Sequence, residues 1–324
     1  MRILIVKLSS LGDLFHALPA VHNLRTGLGA DIDWVVTDTY LELARCFADV
    51  DRAIPFYRNA FFPRLRPFLR ELRRCDYDLV LDLQGLLKSA MVARLAKGER
   101  VIGPSFRREG TRVLYSEVAG HVDKSRHAVD EIYDVVDYLG VARVAPRFPV
   151  DFPETALDLP RPRVAISPAS RWDTKNWPTE RFADVGRHLQ QTHGASVLLL
   201  GADEDVAACA AIEKGLSGSV LNLAGATTLA EAGGHLQGSD ILICNDSGLS
   251  HMAVAVGTPT VAVFGPTNPE RTGPYGSGHR VAIADVPCRP CYGRKCRRND
   301  ASCVERVTTD NVISLAEELL HASG

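Results

Sequence analysis

Residues 240–263 read DILICNDSGLSHMAVAVGTPTVAV. An unbroken apolar run at 241–244 stops at Asn245 and Asp246. Ser247 and Gly248 then open a segment of helical periodicity, and Gly257 and Pro259 punctuate the chain before a second β-branched run at 260–263. Strand, turn, helix, turn and strand in this order form a parallel βαβ unit, whose strands are buried on both faces. Consecutive free amides where a helix starts at Ser247 and Gly248 make an anion site, and Gly248 lets a pyrophosphate approach the backbone. A charged aspartate beside phosphate would repel it, so Asp246 is better placed to bond sugar hydroxyls, with helix capping as its competing role.

The same unit recurs along the chain. Short apolar runs at 2–6, 33–36 and 79–83, and again at 164–166, 196–200 and 241–244, are each followed by turn residues and helical spacing. Residues 144–162, with five prolines, lack that pattern and read as a linker. The reading is therefore an α/β chain of two doubly wound, Rossmann-like domains, 1–155 and 156–324, facing a cleft, with ligands outside the carboxyl ends of the strands. A terminal amphipathic helix is expected at 309–320. Of 324 residues 46% are hydrophobic, enough for two cores, and 37 Lys and Arg against 39 Asp and Glu leave no field that would hold nucleic acid. The run opened by MRILIVK is too short for a signal peptide or a span, so a cytoplasmic protein is expected.

Three more loops follow strands. Residues 7–13, KLSSLGD, lead into a helix, so Asp13 falls at a helix start where the anion is favoured, beside the hydroxyls and amides of Ser9 and Ser10. It reads either as a general base or as a plain N-cap. Lys175, in SPASRWDTKNWP, meets a phosphate at the sheet edge or is a solvated loop lysine. Asp203, Glu204 and Asp205 either accept ribose hydroxyls or suit a first helical turn.

Together these segments resemble the ADP-heptose:lipopolysaccharide heptosyltransferases, inverting transferases of the GT-B fold. The most specific matches are RILIVKLSSLGDLFHALPA (2–20), DLQGLLKS (82–89) and NDSGLSHMAVAVGTPTVAVFGPTNP (245–269). The first two look most like members that add the first heptose to Kdo, and the cysteine-rich tail looks more like those that add the second. The resemblance implies Asp13 as catalytic base, Lys175 on the donor phosphate, Asp246 on the heptose, the amides of Ser247, Gly248 and Leu249 on the pyrophosphate, and the acidic group 203–205 facing ribose. Lys175 and the helix start would stabilise the leaving diphosphate, so no catalytic cofactor or divalent ion is expected.

An anionic lipopolysaccharide acceptor asks for local positive charge. Arg58, Arg64, Arg66, Arg70, Arg73 and Arg74 crowd one segment with Phe56, Tyr57, Phe61, Phe62 and Phe68, as suits acceptor binding with peripheral contact at the inner membrane, or simply a solvated helix face. Ser10, Gln84 and Lys88 are further acceptor candidates. Cys288, Cys291, Cys296 and Cys303 have the spacing to wrap one tetrahedral zinc or iron, or are labile disulfides or free thiols. Competing functions are the same chemistry on another acceptor such as a protein hydroxyl, a nucleotide-sugar binder without catalysis, and a GT-B epimerase or hydrolase.

Overall fold

The computed structural model describes residues 1–59, 61–298 and 302–323. The chain forms two compact units, Met1–Asp151 and Phe152–Gly324. Allegiance changes within two residues of the proline-rich stretch. Val150 pairs with Phe47 in an isolated bridge of the first unit, whereas the ring of Phe152 fills the space a side chain on Gly233 would need in the second.

Each unit holds one six-stranded, wholly parallel sheet. In the first, β1 (Arg2–Val6), β2 (Asp31–Thr37), β3 (Arg52–Phe56), β4 (Tyr77–Asp82), β5 (Gly98–Pro104) and β6 (Glu117–Ala119) lie in the order β3-β2-β1-β4-β5-β6. In the second, β7 (Arg163–Ser167), β8 (Ser196–Leu199), β9 (Val220–Asn222), β10 (Ile241–Asn245), β11 (Thr260–Phe264) and β12 (Arg280–Ile283) lie in the order β12-β11-β10-β7-β8-β9. The two orders are the same topology. In both, the direction of winding reverses beside the first strand, and a crevice opens there at the carboxyl ends. The loops after β1 and β4 flank that point in the first unit, and the loops after β7 and β10 flank it in the second.

The central strands are buried on both faces. Ile3, Leu4, Ile5 and Val6 of β1 and Ile241 to Cys244 of β10 have no exposed surface. In the second unit Val164, Ile166, Ile243, Val261 and Val263 share one core with Val312, Ala316 and Leu319 of the helix Thr309–Ser323, which closes that face of the sheet. No helix among the described residues is long and apolar enough to cross a membrane.

Candidate functional site

β1 delivers the chain to residues 7–10, and the helix Leu11–Leu28 starts with Ser10 as its N-cap residue. Asp13 is therefore not the cap but the third helical residue. Its Oδ2 accepts a bond from the Ser10 N–H at 2.9 Å and another from the Ser10 hydroxyl at 2.7 Å. These two bonds fix the carboxylate at the helix start. The N–H groups of Leu8 and Ser9 converge on the side-chain oxygen of Gln84, at 2.8 and 3.1 Å. Gln84 thus braces the loop that carries Asp13, a role its sequence position did not suggest. Replacing it with Leu keeps the volume and removes the acceptor, so we expect a loss of about 1–3 kcal/mol, read as a lower unfolding midpoint. An unchanged midpoint would refute the brace.

Two buried groups beneath this loop were missed by the sequence reading. Lys7 is 5% exposed, and its Nζ donates to the Leu83 carbonyl at 2.6 Å. Burial pushes its pKa down, opposed by the charges of Asp13, Asp82 and Glu131. A lysine at the carboxyl end of a strand with no solvated face was the available signal. Asp82 ends β4 and accepts bonds from the Gln84 and Gly85 N–H groups at 2.8 and 3.1 Å and from the hydroxyls of Ser89 and Tyr115 at 2.8 and 2.7 Å. Burial still pushes its carboxyl upward. These bonds set the backbone that presents Gln84.

The arginine segment is the helix Phe61–Leu72, which turns Phe68 and Leu72 inward and leaves Arg64, Arg66 and Arg70 exposed. Phe56 meets Phe68 edge-on at 5.5 Å, and both are 3% exposed. These two aromatics are core residues, and the idea that they dip into a membrane surface is corrected. The side chains of Phe61 and Phe62 lie outside the described residues. Arg58 is exposed, Arg64 lies over the Tyr57 ring at 5.2 Å, and Lys88 lies over Phe56 at 5.9 Å.

In the second unit, Asn245 at the end of β10 organises the loop after β7. Its amide donates to the Pro168 carbonyl and its oxygen accepts from the Trp177 N–H at 3.1 Å. Trp177, 1% exposed, donates from its indole to the Val307 carbonyl at 2.9 Å. The loop so held brings Lys175 Nζ to 2.6 Å from Asp246 Oδ2. The same oxygen accepts from the Thr267 hydroxyl at 2.5 Å. An ammonium carries three donors, so this pairing leaves it able to bind phosphate as well. Ser247 is the N-cap residue of the helix Gly248–Ala255, and its hydroxyl oxygen is buried with no partner among the described residues. The first amides of that helix have no carbonyl to pair with inside it. Lys175, Asp246 and the start of the helix thus meet at the switch point.

Asp203, Glu204 and Asp205 form a short 3₁₀ turn after β8. They also have Asp-x-Asp spacing. Asp203 and Glu204 are exposed, but Asp205 turns back to accept from the Ala202 N–H at 2.9 Å, and burial pushes its carboxyl upward. That leaves Asp203 and Glu204 as the outward-facing pair.

The four-thiolate site for zinc or iron finds no support among the described residues. Among the described residues no three or more His, Cys, Asp or Glu are grouped to hold a metal ion. Cys288, Cys291 and Cys296 are exposed free thiols and Cys303 is buried, where desolvation pushes its thiol pKa up. Residues 299–301 of this segment lie outside the described ones. The backbone of the segment is laced to a neighbouring turn. Arg289 donates to the carbonyls of Gly265, Ala284 and Thr267, at 2.5, 3.2 and 3.3 Å, and the N–H groups of Cys291 and Tyr292 both donate to Pro266.

A model of glycosyltransferase family 9 (heptosyltransferase) matches residues 65–301. Lipopolysaccharide heptosyltransferase 1 of Pseudomonas aeruginosa is 29% identical, covering 99% of each chain. Among solved structures, the E. coli heptosyltransferase WaaC with ADP has a TM-score of 0.80 at 27% identity, covering 98% of this chain and 100% of that one. The same enzyme with ADP-2-deoxy-2-fluoro heptose gives 0.77 at 27%, with 98% and 99% covered.

Proposed function

The chain belongs to glycosyltransferase family 9, and from that premise we propose that it transfers heptose from ADP-L-glycero-D-manno-heptose to the inner core of lipopolysaccharide, on Kdo-lipid A or heptosyl-Kdo-lipid A. The observation that carries this reading is the Lys175–Asp246 pair at 2.6 Å beside the Gly248–Ala255 helix start. It offers a cation and free amides to a diphosphate, and a carboxylate to a sugar. The relatives with ADP and with a fluoroheptose analogue bound supply the donor by likeness.

In this reading the anomeric carbon inverts. Asp13 takes the proton from the acceptor hydroxyl, whose oxygen bonds to the anomeric carbon as the bond to the β-phosphate oxygen breaks and ADP departs. Both Ser10 bonds fall on Asp13 Oδ2, so Oδ1 takes the proton. Negative charge growing on the diphosphate is met by Lys175 and by the amides of Ser247, Gly248 and Leu249, in place of a divalent ion. Asp246 Oδ1 bonds the heptose, and Asp203 and Glu204 face the ribose. The enzyme acts at the cytoplasmic face of the inner membrane, where the exposed Arg58, Arg64 and Arg66, with Lys88, hold the anionic acceptor.

Turnover of ADP-heptose with and without Kdo-lipid A tests the assignment, and proton NMR of the product reads the anomeric configuration. Equal ADP release without acceptor would make the protein a hydrolase, and none with any acceptor would make it a binder. Turnover that survives EDTA is expected. The acceptor face has its own test: Arg64→Ala with Arg66→Ala should raise the acceptor KM about tenfold or more while ADP affinity stays native. An unchanged KM would return the helix to an ordinary solvated face.

A further inference from the structure

The cysteine-rich segment holds no grouped metal ligands among the described residues, yet its backbone is built into the donor loops. The Thr174 hydroxyl donates to the Gly293 carbonyl at 2.8 Å, one residue from Lys175. Cys291 and Tyr292 donate to Pro266 at 3.0 and 2.9 Å, one residue from the Thr267 whose hydroxyl holds Asp246. The residue that follows these anchors is Arg294. Its guanidinium carbon lies 5.0 Å from the centroid of Trp172, and Lys175 Nζ lies 4.8 Å from that same ring.

Two cations share one half-buried indole and stand no more than about 10 Å apart. Lys175 is neutralised by Asp246, whereas no carboxylate among the described residues pairs with Arg294. We propose that Arg294 is a second cation for the donor diphosphate, placed beside Lys175 by the Trp172 ring; this rests on the donor reading above. A planar guanidinium forks onto phosphate oxygens, and a ligand bearing several negative charges relieves the repulsion between the two cations. The segment then serves the donor site through its arginine rather than its thiols.

ADP binding by calorimetry and adenosine binding by saturation-transfer NMR, on the parent and on Arg294→Ala and Arg294→Lys, test this. Arg294→Ala should bind ADP about tenfold more weakly, with adenosine unchanged, and the deficit should shrink as salt rises. Arg294→Lys should fall between. ADP affinity within twofold of the parent would overturn the proposal. So would equal losses on ADP and adenosine, which would make Arg294 a prop for the loop. A parent that binds no ADP would bring down the donor reading and this inference together, whereas a parent that binds ADP with no contribution from Arg294 removes only the inference.

Discussion

Asp13→Asn should fold normally and bind ADP-heptose with near-native affinity, yet lose at least about a hundredfold in kcat. The carboxamide oxygen of asparagine accepts the Ser10 N–H and hydroxyl bonds that Asp13 accepts at 2.9 and 2.7 Å, so the helix start survives. The amide has no basicity to take a proton. General base catalysis is worth roughly 10²- to 10⁴-fold, or about 3 to 5 kcal/mol of barrier. Calorimetric binding and single-turnover transfer on one preparation report both quantities. Turnover within a few-fold of the parent would reduce Asp13 to a helix-start residue and send the search for a base to Lys7 and its buried neighbours.

Lys175 should show the second large effect, and its signature is a split between two losses. In the proposed mechanism Lys175→Met removes the cation that meets the leaving diphosphate, at a cost in kcat of about 10²- to 10³-fold. It also strands Asp246, whose side chain is 7% exposed, at a cost of about 3–5 kcal/mol in stability. Combining it with Asp246→Asn neutralises the stranded charge. The double variant should recover most of the stability and none of the turnover, a coupling that a double-mutant cycle measures. Recovery of turnover along with stability would mean that Lys175 only holds the loop in place.

The strands legible in the sequence were the buried ones. All seven apolar runs at 2–6, 33–36, 79–83, 164–166, 196–200, 241–244 and 260–263 fall on strands, with Leu83 and Leu200 one residue past the ends of β4 and β8. The five unread strands are the edges β3, β6, β9 and β12, and β5 beside an edge. Edge strands are covered less and need no continuous apolar run; β3 even carries Pro55, opposite Val36, which an edge tolerates. The loops that follow central strands were legible for the same reason, since a strand that is apolar throughout makes its first polar residues conspicuous. Gln84 was legible as a position but not as a brace, because its two donors lie 75 and 76 residues earlier. The cysteines were legible only as spacing, which reports reach. It carries no information about Arg289, which fixes their backbone to the turn at Gly265 and Thr267.

The helix Thr309–Ser323 bears on how the protein is made. It follows every strand of its unit, yet Val312, Ala316 and Leu319 belong to the core beneath β7, β10 and β11. Trp177, which ends the Lys175 loop, is anchored to the Val307 carbonyl 130 residues downstream. During synthesis from the N-terminus, domains fold as they emerge. The Asp13 unit ends at Asp151 and can assemble while the ribosome is still translating the second unit, but the Lys175 loop has no fixed end until Val307 and the helix Thr309–Ser323 have left the exit tunnel. A message cut short before the codons for Val307 and the helix Thr309–Ser323 would therefore yield a chain whose first unit is built and whose Lys175 loop is not.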